Sequence, residues 1–556
     1  MAIRVPFQLL AALALALFMA WPAAAQGHLV DAQWVAARLQ DPSLLVIDAS
    51  PRPLHNRAHI PGAMHAEVMG IAAFGVRDVP NAQIERVFQA MGVTPGRKVV
   101  IYDQGGTWYA TRLFFALEYY GFPAADLHVL DGGFAKWQAQ GLPVTQEATP
   151  PRPGTFRIAG TNEALRSRVP DLLAAAADRG NQVLLDALEP EYHYGARRFF
   201  HKAGHIPHAL LLPGEDFFNA DKTFKSPTEI RRMLAHLGVR PEQEVHAHCG
   251  GGGAASIPYF ALRHLAGYPN VKLSVESQMG WLRDERDLPF WTYADPTMLR
   301  EVEWLQTWGG AMMRMVGVGQ VSVVDVRPAA AYAQGHVPYA IHVPGETFRS
   351  QARDPQRLAA LLGSAGVDPA HEAVIVSGGG VTKDAALAFA VLEKLGQKRV
   401  SIFAEPLDSV DTLDRMARMN FAPVKEATVV GAPRKPGELA VPAVTYAPRS
   451  RAGVLLADAK SGGGAYPKVF LASGARAPAR APEGTVIHVP YTELLNADAT
   501  PKAAKDIWAI LSKAGVPRYA EIVTFSDDPG EAAINYFMLR LMGYPDAKVL
   551  LASGGP

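Results

Sequence analysis

One turn of the chain reads His246-Ala247-His248-Cys249-Gly250-Gly251-Gly252-Gly253-Ala254-Ala255, and there a predicted strand gives way to a predicted helix. Cys249 is the only cysteine among 556 residues. Backbone N–H groups of a glycine loop and a helix N-terminus favour an anion, so we expect a stabilised thiolate and a lowered pKa at Cys249. The alternative is a buried, inert cysteine. Four consecutive glycines favour the reactive cysteine, because they indicate a backbone that approaches a ligand closely.

The order of strand, turn, strand, loop and helix around this residue is repeated along the chain. His205 precedes Cys249 by 44 residues, and His59 precedes Asp103 by the same interval. The three histidines of the repeated turn, which include His336 in a third unit, are interpreted as turn-organising hydrogen-bonding residues. Repeats of this kind predict a tandem array of similar domains.

The second half of the chain carries a third and a fourth unit. Ser377 stands at the cysteine position of the third unit, and Phe525 or Ser526 stands there in the fourth. In the fourth unit we match residues 455–458 to the first buried strand and residues 487–490 to the histidine turn. His59 and His205 are 146 residues apart, and so are His342 and His488 of the third and fourth units, so the chain looks like a pair of domains that was duplicated into a second pair.

Short β-branched runs that alternate with amphipathic helical segments predict an α/β fold. We expect four tandem domains, each with a mainly parallel sheet flanked by helices. The predicted domains span residues 28–147, 155–293, 296–425 and 440–556. Residues 148–154 and 432–442 are proline-rich and suit linkers, and residues 295–319 are expected to form a helical connector.

Composition and the first residues limit the possible functions. The formal net charge of +1 gives no electrostatic footprint for nucleic acid or an anionic membrane, so neither is expected as a partner. Residues 1–25 have the pattern of a cleaved secretory signal, which predicts a periplasmic or secreted protein that is not held at a membrane after cleavage. A single cysteine rules out an intramolecular disulfide, so its thiol is either reactive or engaged with another molecule.

These motifs resemble the rhodanese superfamily, and the first two units together resemble a tandem-domain thiosulfate or 3-mercaptopyruvate sulfurtransferase. The residues that carry the resemblance are 129–137, 204–207, 219–226, 249–252 and 281–289. The resemblance implies a catalytic second domain and a silent first domain with Asp103 at the cysteine position. Ser377 and the corresponding residue of the fourth unit are expected to be silent too, because a hydroxyl cannot form a stable persulfide.

The resemblance also implies a mechanism at the second unit. Cys249 would take a sulfane sulfur from a small donor as a persulfide and pass it to cyanide or a thiol, with a periplasmic protein as a further candidate acceptor. Arg198, aligned within one residue of Arg197, would lie near the donor anion. No cofactor and no metal are implied. Donor-binding main-chain groups are expected from Gly250, Gly251, Gly252, Gly253 and Ala254.

The second unit departs from the family pattern in two places. The loop supplies no cationic or hydroxyl side chain, and Leu188 stands where an aspartate-x-arginine motif has arginine, although Asp186 remains. Donor identity is therefore left open. We expect the first domain to wall the site through residues near Trp108, Tyr109 and Arg112.

Cys249 has four alternative interpretations, and one of them, a papain-like protease, lacks its local cysteine signature in this chain. His246 and His248 lie on one face of the strand next to Cys249, so these residues could form a His/Cys metal site. A structural zinc site, however, needs more cysteine than this chain has. A cysteine phosphatase needs an arginine near the end of the loop, where residues 254–256 have none. The remaining alternative is a persulfide carrier or binding scaffold without turnover for a sulfur-metabolism partner.

Overall fold

The computed structural model describes residues 27–76, 79–407, 441–451, 453–477 and 480–551. The predicted signal segment 1–25, residues 408–425 of the third predicted domain and most of the predicted linker 432–442 lie outside these ranges. The described chain forms four five-stranded sheets with the same strand order, in which the third strand lies at one edge and the first at the other. The prediction of four α/β domains is confirmed, and each sheet falls inside one predicted range. The boundaries themselves stay predictions.

The first sheet has the order β1-β5-β4-β2-β3, and its paired strands are parallel. Its strands are β1 (Leu29–Val30), β2 (Leu44–Asp48), β3 (Met64–His65), β4 (Lys98–Tyr102) and β5 (Leu127–Leu130). Its helices are α1 (Ala32–Ala36), α2 (Arg52–Arg57), α3 (Val68–Ala72), α4 (Asn81–Ala90), α5 (Tyr109–Tyr119) and α6 (Gly133–Ala139). Val99, Val100 and Ile101 in β4 are fully buried, as expected for a central strand of a sheet covered on both faces.

The second sheet repeats this order, and its central strand β9 leads into the cysteine loop. Its strands are β6 (Arg166–Ser167), β7 (Gln182–Asp186), β8 (Leu210–Leu211), β9 (Glu244–His248) and β10 (Val271–Ser274). Its helices are α7 (Val169–Ala177), α8 (Pro190–His193), α9 (Pro227–His236), α10 (Ser256–Phe260) and α11 (Ser277–Leu282). A π-helical turn, Ala261–Leu265, continues α10.

The third and fourth sheets have the same topology as the first two. The third consists of β11 (Leu299–Arg300), β12 (Val321–Asp325), β13 (Ile341–His342), β14 (Glu372–Val376) and β15 (Arg399–Phe403). Its helices are α12 (Val302–Gly309), α13 (Ala311–Met315), α14 (Ala329–Gln334), α15 (Gly345–Gln351), α16 (Pro355–Ala365) and α17 (Lys383–Leu395). The fourth consists of β16 (Leu455–Leu456), β17 (Lys468–Ala472), β18 (Thr485–His488), β19 (Glu521–Phe525) and β20 (Ala547–Leu550), with α18 (Ala504–Lys513) and α19 (Pro529–Leu541). Short 3₁₀ turns occur at Ala124–Asp126, Glu163–Leu165, Gly214–Phe217, Pro296–Met298 and Tyr491–Leu494.

The assignment within the fourth unit was wrong in register. β16 pairs with β20 at the sheet edge, so residues 455–458 match the edge strand β1 and not the buried strand β2. β17 takes the place of β2, because it lies between β18 and β19. His488 ends β18 and its Nε2 contacts the carbonyl of Gly474 at 2.9 Å, as His342 Nε2 at the end of β13 contacts that of Arg327 at 2.9 Å. His488 is thus a strand-end histidine and not part of the turn.

The expected helical connector at residues 295–319 is only partly helical. It contains α12 and α13, but β11 within it forms the edge of the third sheet next to β15. The prediction missed this strand because a two-residue edge strand has no periodicity to detect.

The repeated turn histidines have the structural role that was predicted. Nδ1 of His59, His205 and His336 contacts the backbone carbonyls of His55, His193 and Tyr332 at 2.9, 2.8 and 3.0 Å. In each case the histidine ring stacks on the ring of the residue whose carbonyl it contacts. The interaction recurs in a unit with the cysteine and in units without it, so it organises the turn.

The described chain divides into two compact units. One contains the residues up to Glu189 with Leu211–Arg231 and Arg240–Leu288. The other contains Pro190–Leu210, Arg232–Val239 and the residues from Pro289 onward. Within the described residues no helix has the length and apolar character needed to cross a membrane.

A buried carboxylate recurs in both halves of the chain and supports the duplication. Glu118 on α5 accepts a hydrogen bond from the Tyr259 hydroxyl on α10 at 2.9 Å. Glu393 on α17 accepts one from the Tyr536 hydroxyl on α19 at 2.5 Å. The first and second domains are therefore joined through the same pair of helices as the third and fourth.

Candidate active site

Cys249 directly follows β9 at the carboxyl end of the sheet, and it is buried, with 3% of its surface exposed. Its backbone N–H donates to the Ser277 hydroxyl at 3.0 Å, and its carbonyl accepts from the Gln278 N–H at 3.0 Å. The Gly252 N–H donates to Sγ at 3.1 Å. The sulfur atom is therefore held by main-chain groups of its own loop, in the place where ligands bind in parallel sheets.

The glycines of the loop are required to different degrees. Gly252 has φ +78°, and a Cβ there would lie 2.6 Å from the Val275 carbonyl oxygen. A Cβ at Gly253 would lie 3.0 Å from the Trp108 ring. At Gly251 a Cβ would meet nothing within 4 Å. The loop thus needs glycine at Gly252 and Gly253 for close approach, whereas Gly251 borders open space.

The first domain forms part of the wall around the cysteine loop, as predicted. Trp108 packs on Gly253 and stacks on Tyr109 with ring centroids 4.2 Å apart. The Thr111 and Ser256 hydroxyls lie 2.8 Å apart, which ties α5 to the start of α10. Thr111, Ser256 and Ser277 could not be predicted from the sequence, because isolated hydroxyl residues occur at many surface positions.

The expected low pKa of Cys249 is wrong for the structure described. Burial raises the pKa of the Cys249 thiol, and the N–H groups of Ala255, Gly251 and Gly252 oppose this increase without cancelling it. The carboxylate of Asp186 raises the pKa further. Sequence spacing revealed the donors but not the depth of burial, which penalises the charged form.

The raised pKa predicts how Cys249 reacts with pH. Below its pKa the thiol is protonated, so the alkylation rate with iodoacetamide should rise about tenfold per pH unit, in proportion to the thiolate fraction. The alkylation rate of glutathione, measured in parallel, levels off above the pKa of its thiol. We expect the alkylation rate of Cys249 to be still rising at that pH. A plateau of the protein thiol below that of glutathione would contradict the effect of burial.

The other predicted site residues are placed as follows. Gly250 is buried and Ala254 is half-buried in the cysteine loop. Arg198 is exposed and belongs to the other compact unit, and Arg197 is exposed with its guanidinium 4.8 Å from the Tyr192 ring. A role for Arg198 at the donor anion stays a prediction.

The neighbourhood of Asp186 shows what replaces the family arginine. Leu188 is buried, and its N–H donates to Asp186 Oδ1 at 3.2 Å. The His248 Nδ1 atom lies 3.9 Å from the same oxygen. Asp186 therefore accepts a hydrogen bond from the backbone that follows β7, although the arginine of the family motif is missing.

His246 and His248 were weighed as metal ligands. His246 is hydrogen-bonded to Ser167 Oγ at 2.7 Å and to Gln182 Oε1 at 3.0 Å. Burial lowers the pKa of His246 to about 4, so its ring is neutral at pH 7. Among the residues that the structure describes, no three His, Cys, Asp or Glu side chains are grouped so that they could hold a metal ion.

Asp103 occupies the cysteine position of the first domain, directly after β4. Its Oδ1 accepts from the Gly105 N–H at 2.7 Å and its Oδ2 from the Ala110 N–H at 3.0 Å. The pKa of this carboxyl is raised, because the effect of burial exceeds the opposing effect of the Thr107 side chain and the N–H donors. The first domain therefore fills its own loop with a carboxylate that uses the N–H groups a ligand would need.

The third and fourth domains carry hydroxyl groups at this position. Ser377 donates to the Gly380 carbonyl at 2.9 Å. In the fourth domain Phe525 is the buried last residue of β19, so Ser526 is the residue that matches Cys249. The Ser526 hydroxyl donates to Glu531 at 2.6 Å, and Lys383 lies 2.7 Å from the same carboxylate. Neither position has a thiol. In the fourth domain the ion pair of Glu531 and Lys383 lies next to the residue that matches Cys249.

The family model for the rhodanese-like domain matches residues 31–140, 169–284 and 310–408. These ranges contain the first three sheets almost completely and cover more than half of the chain. The fourth domain has the same topology and is outside the matched ranges.

Three curated proteins similar to this chain each match slightly less than half of it. A sulfur carrier protein of Thermus thermophilus is 28% identical over 257 residues, which are 44% of this chain and 90% of that protein. A probable 3-mercaptopyruvate sulfurtransferase of Pseudomonas aeruginosa is 33% identical over 277 residues, which are 47% of this chain and 96% of that protein. A thiosulfate sulfurtransferase of Azotobacter vinelandii is 28% identical over 240 residues, which are 42% of this chain and 87% of that protein.

Proposed function

The chain belongs to the family of rhodanese-like domain proteins, and from this premise we propose that it is an exported sulfurtransferase with a persulfide carried on Cys249. Relatives named as sulfurtransferases support sulfur transfer as the general activity. One observation carries the proposal: Cys249 Sγ lies at the carboxyl end of β9 within 3.1 Å of a loop N–H.

In the first step the Cys249 thiolate attacks the transferable sulfur of the donor, which is the outer sulfur of thiosulfate or the thiol sulfur of 3-mercaptopyruvate. With thiosulfate, the S–S bond of the donor breaks, sulfite leaves with the electron pair, and Cys249 becomes a persulfide anion. With 3-mercaptopyruvate, the C–S bond breaks, its electron pair stays on carbon, and the thiol proton converts that carbon to the methyl group of pyruvate. Both reactions balance without an added oxidant. The N–H groups of Gly251 and Gly252 stabilise negative charge on the sulfur throughout.

In the second step a nucleophile removes the outer sulfur. Cyanide attacks the terminal sulfur of the persulfide, the S–S bond breaks toward Cys249, and thiocyanate and the free thiolate result. A thiol acceptor gives a new persulfide in the same way.

The competing proposal is a sulfur carrier that loads without repeated turnover. Two observations favour it: a relative is named as a sulfur carrier protein, and the first, third and fourth domains have Asp103, Ser377 and Ser526 in place of the cysteine. The carrier would deliver its persulfide to a protein acceptor. The two proposals share the loading step and differ in the second.

The test is mass spectrometry of the intact protein after incubation with thiosulfate, 3-mercaptopyruvate or a polysulfide. We expect one adduct of about 32 Da, the mass of one sulfur atom, on Cys249 and its loss on addition of cyanide or a thiol. Many cycles per molecule support the sulfurtransferase, and loading with a single discharge supports the carrier. Failure of every donor to form the adduct would overturn both.

Export is proposed from the pattern of residues 1–25 alone. Cleavage after the small residues Ala23-Ala24-Ala25 would leave a mature chain that begins near Gln26 and acts in the periplasm or outside the cell. The mass of the protein recovered from the periplasmic fraction measures this directly, and an uncleaved chain in the cytoplasm would contradict it.

A further inference from the structure

One face of α5 lies against the cysteine loop and the helix that follows it. The residues on this face are three or four positions apart, as neighbours on a helix surface are. Three contacts define it: Trp108 packs on Gly253, Thr111 contacts Ser256 and Phe115 packs edge-to-face on Tyr259. The side chains of this face therefore reach the second domain at the active loop.

Arg112 stands on the same face, one turn after Trp108 and beside Thr111. Only 1% of its surface is exposed. Nη2 donates to the Ala72 carbonyl at 3.3 Å, and the guanidinium carbon lies 5.4 Å from the centre of the Phe115 ring. Nε is buried and has no hydrogen-bond partner. Among the described residues, no carboxylate forms an ion pair with this guanidinium.

A buried, unpaired guanidinium is unfavourable unless an anion compensates it. Burial lowers the pKa of Arg112 to about 10, which still leaves it charged at pH 7. The negative forms of Tyr120 and Cys249 both favour the charged form of Arg112, and the positive charge of the neighbouring Arg166 opposes it. Tyr120 also faces Arg112, but burial raises its pKa to about 12, so at pH 7 it contributes no charge.

The neighbouring Arg166 differs in this respect. It is buried to a similar extent, with 7% exposed, but it forms an ion pair with Glu276 at 2.9 Å and donates to the Gly75 carbonyl. Its charge is therefore compensated within the protein. The carboxylate of Asp186 disfavours the Cys249 thiolate. Arg112 is the buried cation near the loop whose charge is left for a ligand or a thiolate.

We propose that Arg112 is a positioning residue that supplies, from the first domain, the positive charge that residues 250–254 of the loop lack. It favours the Cys249 thiolate and the persulfide anion, and it selects donors that carry negative charge. This inference rests on the proposed function, because it concerns the same sulfur atom. The cysteine loop has no cationic side chain, and burial disfavours the thiolate. The guanidinium of Arg112 would stabilise the thiolate and the persulfide anion in its place.

The experiment compares the rate of Cys249 alkylation by iodoacetamide as a function of pH in the full-length protein. Arg112→Met should lower the rate about tenfold at each pH below the pKa, which corresponds to a pKa increase of one unit. Arg112→Lys should restore most of the rate. The matched control is Arg263→Met, which removes one positive charge from the π-helical turn after α10, where Arg263 faces Glu118; its profile should be unchanged.

A wild-type profile in Arg112→Met would overturn the inference, and so would an equal loss in Arg112→Met and Arg112→Lys. If Arg112→Met does not fold, as judged by circular dichroism, Arg112→Gln keeps a donor for the Ala72 carbonyl and gives the same comparison. Persulfide loading is measured separately on the wild-type protein. A shift in the alkylation profile without any loading would refute the sulfurtransferase and leave the role of Arg112 intact.

Discussion

Cys249→Ser should reduce sulfur transfer to the uncatalysed background and remove the sulfur adduct completely. A serine hydroxyl is not ionised at neutral pH and cannot carry sulfane sulfur, so no step of the reaction remains. The fold should tolerate the change, because the serine oxygen can accept the same Gly252 N–H that Sγ accepts. We expect the free energy of unfolding to change by no more than about 1 kcal/mol, the size of one hydrogen bond. Thiocyanate formation and thermal unfolding measure the two quantities.

The matched control for this variant is Ser377→Ala in the third domain. Ser377 also follows the central strand of a sheet, and its hydroxyl donates to the Gly380 carbonyl, so the substitution perturbs an equivalent loop. Activity should stay at the wild-type level. Residual transfer in Cys249→Ser, with an adduct elsewhere in the chain, would contradict the assignment of the nucleophile.

The repeat was predictable because the first two units have the same 44-residue interval from the turn histidine to the residue after the central strand, His59 to Asp103 and His205 to Cys249. In the third unit the interval from His336 to Ser377 is 41 residues, but the strand order of the sheet is the same. The fourth unit shows the limit of this argument. Its edge strand Leu455–Leu456 and its buried strand Lys468–Ala472 are both short apolar segments, and only pairing distinguishes them. Strand pairing is set by contacts distant in sequence, which local patterns do not encode.

The candidate site was predictable in position but not in electrostatics. The location of Cys249 followed from the strand and the glycine run, and the contribution of Trp108 followed from the resemblance. The pKa of Cys249 was predicted with the wrong sign, because burial depends on what packs over the loop. Arg112 was named as part of the wall, but its lack of a carboxylate partner is a property of the packed interface and not of any motif.

The domains without a cysteine indicate which groups this kind of loop can hold. In the first domain the Asp103 carboxyl accepts hydrogen bonds from the N–H groups of Gly105 and Ala110, so an acceptor group occupies the same kind of loop that surrounds Cys249. In the fourth domain Glu531 lies close to Ser526 and is balanced by Lys383. Carboxyl groups near the end of the central strand thus recur in the first and fourth domains, whereas the third domain has the neutral Ser377 there. These two carboxyl groups support the proposal that the second domain stabilises a persulfide anion.

Gly252→Ala should be the most damaging single change within the loop. Gly252 has φ +78°, where an alanine costs about 1 kcal/mol or more. Its Cβ would also lie 2.6 Å from the Val275 carbonyl oxygen and 2.7 Å from the Val275 Cα, and backbone atoms cannot rotate away. The loop must therefore shift, and the N–H that donates to Sγ moves with it. We expect a loss of about 2 kcal/mol or more in stability and at least a tenfold loss in the rate of persulfide formation.

Gly251→Ala is the control that separates this geometry from a general effect of losing a glycine. The added Cβ meets nothing within 4 Å, and Gly251 is not among the glycines with positive φ. Its stability and its rate of adduct formation should both stay close to wild type. If the two alanine variants lost activity equally, flexibility of the whole loop would matter more than the position of the Gly252 N–H. If neither lost activity, the sulfur would not depend on that N–H, and the hydrogen bond at 3.1 Å would be incidental to the chemistry.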